Sequence, residues 1–152
     1  MSNIPELNKN VMNAILALQD MPEVKQGLQL CLDQEPYAMQ EQITICEIPA
    51  PTFKEEVRGK YIASLMEKYG LEDVHLDEIG NCVGLLKGTE NGPVIAMGAH
   101  MDTVFPEGTP IKVTQEGNVY HAPGIGDNCS GVRALLQTIR CFTESGVRPK
   151  GD

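Results

Sequence analysis

Three residues in the middle of the chain, His100, Asp102 and Asp127, have the types and spacing to hold a metal ion. A neutral imidazole and carboxylate oxygens are among the donors that zinc takes. His100 and Asp102 stand two apart, and in an extended segment such residues point to one side, so Asp102 can hydrogen-bond the His100 ring. A carboxylate so placed fixes the tautomer and raises the basicity of the ligand. Asp127 stands in Gly124-Ile125-Gly126-Asp127-Asn128-Cys129-Ser130-Gly131, where the glycines predict a tight turn at a helix N-terminus. On such a turn Asp127 can aim both oxygens outward and bridge two ions. Two ions ~3.5–4 Å apart form the clamp with which many hydrolases activate water.

Other readings of the same residues stay open at this point. Asp127 could cap the following helix, a role for which aspartate is well suited, although Asn128 can take that role instead. Asp102 could be a salt-bridge partner. Cys129 with His100 would make a thiol nucleophile pair, activated at a helix N-terminus, but that pair explains neither the His-x-Asp spacing nor Asp127. Gly124-x-Gly126 could cradle a phosphate, yet it lacks a third glycine and a P-loop lysine. Of the other histidines, His75 reads as solvated surface and His121, close to the glycine loop, as a substrate contact or stray ligand.

The elements around these residues follow from periodicity. Val94 to Ala99, apolar and bounded by Pro93, predicts a buried central strand with His100 where it runs out, the place where open α/β sheets put chemistry. Val74 to Asp77 and Asn81 to Lys87 predict a hairpin through Gly80-Asn81, and residues 111 to 121 a second through Glu116-Gly117-Asn118. A helix is expected from about Asn128 to Glu144, with Val132, Leu135, Leu136, Ile139 and Phe142 inward. Upstream, Thr52 and Glu55 suggest a capping box for a helix ended by Gly70, with Phe53, Val57, Tyr61 and Leu65 on one side. Three further helices are expected near the N-terminus. One begins at Asn3 before Pro5 with Val11, Ile15 and Leu18 in register, and one at Asp20 before Pro22 with Val24, Leu28 and Cys31. The third begins at Pro36, with Met39, Ile43 and Cys46, and stops at Pro49. Each apolar stripe is expected to pack into the core.

The 152 residues suit one domain, and 41% hydrophobic with 22% charged residues is globular composition. A net charge of −9 disfavours nucleic acid and anionic membranes as partners. The five cysteines form no zinc-finger or C-x-x-C spacing. Their odd number, with no signal peptide and no run of 18 apolar residues, points to reduced thiols in the cytoplasm.

Gly98-Ala99-His100-Met101-Asp102-Thr103-Val104, followed by Gly124-x-Gly126-Asp127-Asn128-x-x-Gly131, resembles the two N-terminal signatures of a family of dinuclear zinc hydrolases. That family includes aminoacylase, acetylornithine deacetylase, carboxypeptidase G and peptidase T. The resemblance also takes in Pro49-Ala50-Pro51-Thr52-Phe53-Lys54-Glu55 and Gly80-Asn81-Cys82-Val83, and so covers roughly residues 36 to 152. It implies an α/β fold with a mixed central sheet sandwiched by helices, preceded by a helical lead-in over about residues 1–35. It further implies that His100 is a ligand of one zinc, that Asp127 bridges both, that Asp102 orients His100, and that the Asp127–Asn128 peptide bond is cis. The cofactor would be two zinc ions, with cobalt or manganese as alternatives. The substrate would be a peptide or N-acyl amino acid, and the assembly to test for a homodimer. Many relatives carry a lysine where Cys129 or Ser130 stands here. Relatives take the catalytic glutamate and the remaining ligands from downstream segments, so the resemblance presents these 152 residues as the front part of such an enzyme. The reading from a different class is a binding or scaffold protein that keeps the fold without the full ligand set.

Overall fold

The structure, a computed structural model, describes residues 8–152. Five helices and two small hairpins follow in the order α1 (Lys9–Asp20), α2 (Pro22–Asp33), α3 (Glu35–Glu47), α4 (Glu56–Lys68), β1 (Glu72–Leu76), β2 (Cys82–Leu85), β3 (Thr114–Glu116), β4 (Val119–His121) and α5 (Cys129–Ser145). Helix and strand both contribute, as an α/β reading requires, but the sheets are two separate antiparallel pairs, β1 with β2 and β3 with β4.

The core lies where α3, α4 and α5 meet. Ile45 and Cys46 of α3, Ile62, Leu65 and Met66 of α4, and Cys129, Val132, Leu136 and Ile139 of α5 form one buried cluster, closed by Tyr69. The expected inward face of α5 is therefore the observed one at Val132, Leu136 and Ile139, and Gly146 ends the helix in the left-handed conformation that glycine adopts without cost. Both hairpins also form where turn chemistry placed them. Between β1 and β2 the Asp77 carboxylate accepts the Ile79 and Asn81 amides at 3.0 and 2.8 Å, and Gly80 supplies the positive φ the turn needs.

Several expectations fail, and for related reasons. Residues 94–99 form no strand: Val94, Ile95 and Met97 are 78%, 70% and 60% exposed, and the segment's one backbone bond outward runs from the Ile95 amide to the Asp152 carbonyl at 2.9 Å. An apolar run becomes a buried strand only where neighbouring strands take its N–H and C=O groups, and among the described residues only Asp152 takes one of them. The central sheet is accordingly not formed among them. In α1, Val11, Ile15 and Leu18 are exposed rather than core, and in α2 so are Leu28 and Cys31, the latter at the open edge of the contact with α5. The helix start expected at Asn3 lies outside the described residues. The cap of α1 is Asn8, whose side chain accepts the Asn10 amide at 2.9 Å. Asp20 closes α1 rather than starting α2, which begins from Met21 with Pro22 in its first turn. In α3 the fully buried positions are Ala38, Glu41, Gln42, Ile45 and Cys46, with Met39 and Ile43 only half-buried.

The capping box is also absent. Glu55 holds the N-cap position of α4, and its carboxylate accepts the Phe53 amide at 2.6 Å while Thr52 turns elsewhere. The buried face of α4 is rotated to Arg58, Gly59, Ile62, Leu65 and Met66, which leaves Phe53 and Val57 in solvent. Leu136→Ala should cost about 2–5 kcal/mol of stability in urea unfolding, whereas Leu28→Ala should change it by less than about 0.5 kcal/mol.

Candidate metal centre

His100, Asp102 and Asp127 come together although residues 94–99 form no strand. The His100 Nδ1 atom lies 3.1 Å from Asp102 Oδ1, and Nε2 lies 3.0 Å from Asp127 Oδ1. The two ring nitrogens thus face two different carboxylates.

The segment carrying His100 and Asp102 is held from three sides. Thr103 donates its amide to the Ala50 carbonyl at 2.8 Å, in a parallel bridge between Pro51 and Thr103 that lays the Pro49–Glu55 stretch beside the site. From that stretch the Thr52 hydroxyl donates to Asp102 Oδ2 at 2.9 Å. From α4, Arg58 reaches under the segment. Its guanidinium donates to the Met101 carbonyl at 2.6 Å, to Ile48 at 2.9 and 2.6 Å and to Cys46 at 3.2 Å, and the residue is 1% exposed. Periodicity did not single out Arg58, since an arginine among Lys54, Glu56 and Lys60 looks like part of a solvated face. The only signal available was that it lies on the same side of α4 as Ile62 and Leu65.

The loop carrying Asp127 is shaped by two of its glycines. A Cβ at Gly124, whose φ is +81°, would stand 2.7 Å from the Thr103 methyl, and one at Gly131 would stand 2.1 Å from the Asn128 side-chain oxygen. Gly126 has open space and no such constraint. α3 anchors the loop through Gln42, which donates to the Ile125 carbonyl at 2.7 Å. Asn128 occupies the N-cap position of α5, so Asp127 is not the cap. The Asn128 side chain does not cap either, because its amide donates to the His100 carbonyl at 3.2 Å. The Asp127–Asn128 peptide bond is cis, as the resemblance implied. The Asp127 carboxylate, at 92% side-chain exposure, is aimed outward.

Burial is the largest single influence on the His100 pKa and lowers it, but the bonds from Asp102 and Asp127 together outweigh it and hold the value above the usual imidazole range. The Asp102 carboxyl lies below its usual range, chiefly through the Thr52 hydroxyl and then through His100. In a neutral ring with its proton on Nδ1 towards Asp102, Nε2 would present a lone pair towards an Asp127 oxygen that can also only accept. Such a pair stays 3.0 Å apart only with a cation between, either a proton or a metal ion. Imidazole nitrogen and carboxylate oxygen are a fitting donor pair for zinc. Among the described residues no group of three or more His, Cys, Asp or Glu side chains stands ready to hold a metal ion, since Asp102 sits on the far nitrogen.

An open cavity of about 350 Å³ lies against this pair, lined by Thr103, Val104, Phe105, Ala122 and Gly124 as well as the three polar residues. The other candidates fall away. Cys129 is buried against Cys46 and does not meet His100, whose two nitrogens are taken, so the thiol pair is not formed. His121 is exposed at the end of β4 and does not line the cavity, and His75 is exposed on β1.

Residues 81–152 match the model of Peptidase family M28. A protein of Pyrococcus abyssi, provisionally named a LysW-lysine/LysW-ornithine hydrolase, is 36% identical over 92 residues, 60% of this chain and 26% of its own length. A protein of the same name from Pyrococcus furiosus is 39% identical over 69 residues, 45% of this chain and 20% of its own. Carboxypeptidase G2 of a Pseudomonas species is 37% identical over 75 residues, 47% of this chain and 17% of its own. The chain thus spans about a quarter or less of the length of these relatives. The matched stretch of the family model contains His100, Asp102 and Asp127.

Arg58→Met would leave the carbonyls of Cys46, Ile48 and Met101 without their donor. It should cost roughly 3 kcal/mol or more in urea unfolding and displace the His100 ring resonances in an NMR spectrum, and Arg58→Lys should recover only part of the loss because one ammonium cannot fork to three carbonyls.

Proposed function

We propose that this chain carries part of the active centre of a metal-dependent hydrolase that cleaves an amide bond of a peptide or N-acyl amino acid. The observation that carries the reading is the convergence of His100 Nε2 and Asp127 Oδ1, 3.0 Å apart beside an open cavity. The relatives' names, a carboxypeptidase and LysW-lysine/LysW-ornithine hydrolases, support hydrolysis of this type.

Zinc, when bound, supplies a Lewis acid that polarises a carbonyl and lowers the pKa of water to ~7. His100 and Asp127 are the residues that would hold it, and Asp127 would also serve as a ligand of a second ion. Asp102 keeps the His100 proton on Nδ1, so that Nε2 stays a donor of electrons, and Thr52 keeps Asp102 in place. Val104 and Phe105 would offer an apolar wall to the substrate. A zinc site needs three or four protein donors and catalysis needs a carboxylate to move the proton, so further residues outside this set would complete both. The same completion would pair residues 94–99 into a mixed sheet sandwiched by helices and would cover their apolar side chains. Action in the cytoplasm, without nucleic acid or membrane as partner and as a homodimer, completes the proposal. No described helix is long and apolar enough to cross a membrane.

The presence of only two converging donors is also what a binding or scaffold protein with an incomplete ligand set would have, and metal binding and turnover separate the two readings. Zinc titrated into the chain by calorimetry should bind weakly and saturably. His100→Ala and Asp127→Ala should abolish binding, and Asp102→Asn should weaken it by ~10–100-fold. N-acyl amino acids and short peptides should be hydrolysed by this chain far below ordinary enzyme rates, since the described residues bring no further carboxylate to His100 and Asp127 as general base, a loss of ~10²–10⁴. Zinc binding unaffected by His100→Ala would remove the metal-centre reading, and chelator-sensitive turnover at ordinary rates would show that two donors suffice.

A further inference from the structure

The contact between α2 and α5 brings two cysteines together far from the metal centre. The Sγ atoms of Cys31 and Cys141 lie 3.1 Å apart, although 110 positions separate them in sequence. The helix packing explains the approach. Gly27 and Cys31 lie one turn apart on α2, as Cys141 and Ser145 do on α5, so one face of each helix carries a small residue and a thiol. A Cβ at Gly27 would stand 3.3 Å from Ser145 Oγ and 3.6 Å from the Cys141 carbonyl, so the two helices meet closely at this point. Crossing in opposite senses, the helices set Gly27 against Ser145 and Cys31 against Cys141. One turn further along α5, Gln137 donates to Gln34 at 3.2 Å and to Cys141 Sγ at 3.7 Å, which holds the register.

The other thiols are differently placed. Cys46 and Cys129 are buried in the core, and Cys82 donates to the Met66 sulfur at 3.6 Å. Cys31 is exposed, and Cys141 is half-buried behind it. Only the Cys31–Cys141 pair combines mutual contact with access from solvent. We propose that Cys31 and Cys141 are a reversible oxidation site, at which a small-molecule disulfide such as oxidised glutathione converts the two thiols into a cystine that staples α2 to α5.

The exchange balances in two steps. The Cys31 thiolate attacks one sulfur of the oxidised glutathione, forming a mixed disulfide and releasing one glutathione thiolate. Cys141, after losing its proton to solvent, attacks the Cys31 sulfur and releases the second glutathione. Two protein thiols are oxidised and one external disulfide is reduced to two thiols. Burial and the contact with Cys31 push the Cys141 thiol up to about 11, so exposed Cys31 is the thiol that attacks the external disulfide and Cys141 the slower, resolving one. The consequence is mechanical. α2 buries only Gly27 completely and α1 buries nothing, so the bond would tie down a helical lead-in otherwise held by a thin interface.

The test treats the purified chain with oxidised glutathione, blocks remaining thiols with N-ethylmaleimide after unfolding, and maps peptides without reduction. The alkylatable thiols should fall from five to three, with the Cys31 and Cys141 peptides joined and released by dithiothreitol. In Cys31→Ser, whose exposed position leaves the fold intact by circular dichroism, no intramolecular bridge should appear. Digestion of the lead-in by a protease should slow on oxidation in the wild type and not in Cys31→Ser. Five alkylated thiols after treatment, a bridge between any other pair, or Cys31 left as a lasting glutathione adduct or in an intermolecular dimer would each overturn the proposal.

Discussion

A single buried cation holds the site's framework together. The Arg58 guanidinium is removed from water without a carboxylate partner among its contacts, an arrangement that costs several kcal/mol unless its donors are all engaged. Its partners are carbonyls, and their placement explains why the cost is met. Cys46 and Ile48 belong to the C-terminal end of α3, where unpaired carbonyls and the helix dipole both favour positive charge. The remaining bond goes to Met101, between His100 and Asp102. One side chain therefore ties the end of α3 and the body of α4 to the segment that carries the imidazole.

The carboxylate on the other side of His100 depends on a different kind of constraint, that of close approach. Gly124 passes the Thr103 methyl and Gly131 passes the Asn128 amide at distances that leave no room for a Cβ, and Asn128 is thereby free to bond the His100 carbonyl. The loop and the His100 segment are joined at both the backbone and the side-chain level. Their donors converge although residues 94–99 have no strand partners, because the convergence relies on α3, α4 and α5 and not on a sheet.

What could be read from sequence, and what could not, divides along this line. The hairpin at Gly80-Asn81 and the buried face of α5 depend on residue type and near spacing and form as expected, and His100, Asp102 and Asp127 converge, though not at the end of the strand expected to carry them. The stripes of α1 and α2 and the apolar run from Val94 to Ala99 are equally regular, yet they lie exposed. Periodicity states which face a partner would cover and is silent on whether the partner is there. Arg58 was missed for the converse reason: its burial depends on three carbonyls from segments that only the fold brings together. Thr52 and Glu55 match a capping box letter by letter, but the helix begins only at Glu56 with Glu55 itself at the N-cap, which leaves Thr52 outside the cap and its hydroxyl donating to Asp102.

The central claim is that Asp102 holds the His100 proton on Nδ1 so that Nε2 and Asp127 can share a cation. Long-range ¹H–¹⁵N correlation spectra of the imidazole, recorded while zinc is added, test it most directly. The account predicts that Nδ1 keeps its proton throughout while the Nε2 resonance moves to a metal-bound position, and that Asp127→Ala removes the change. Zinc taken up at Nδ1, or a ring whose two nitrogens do not respond to zinc, would contradict it.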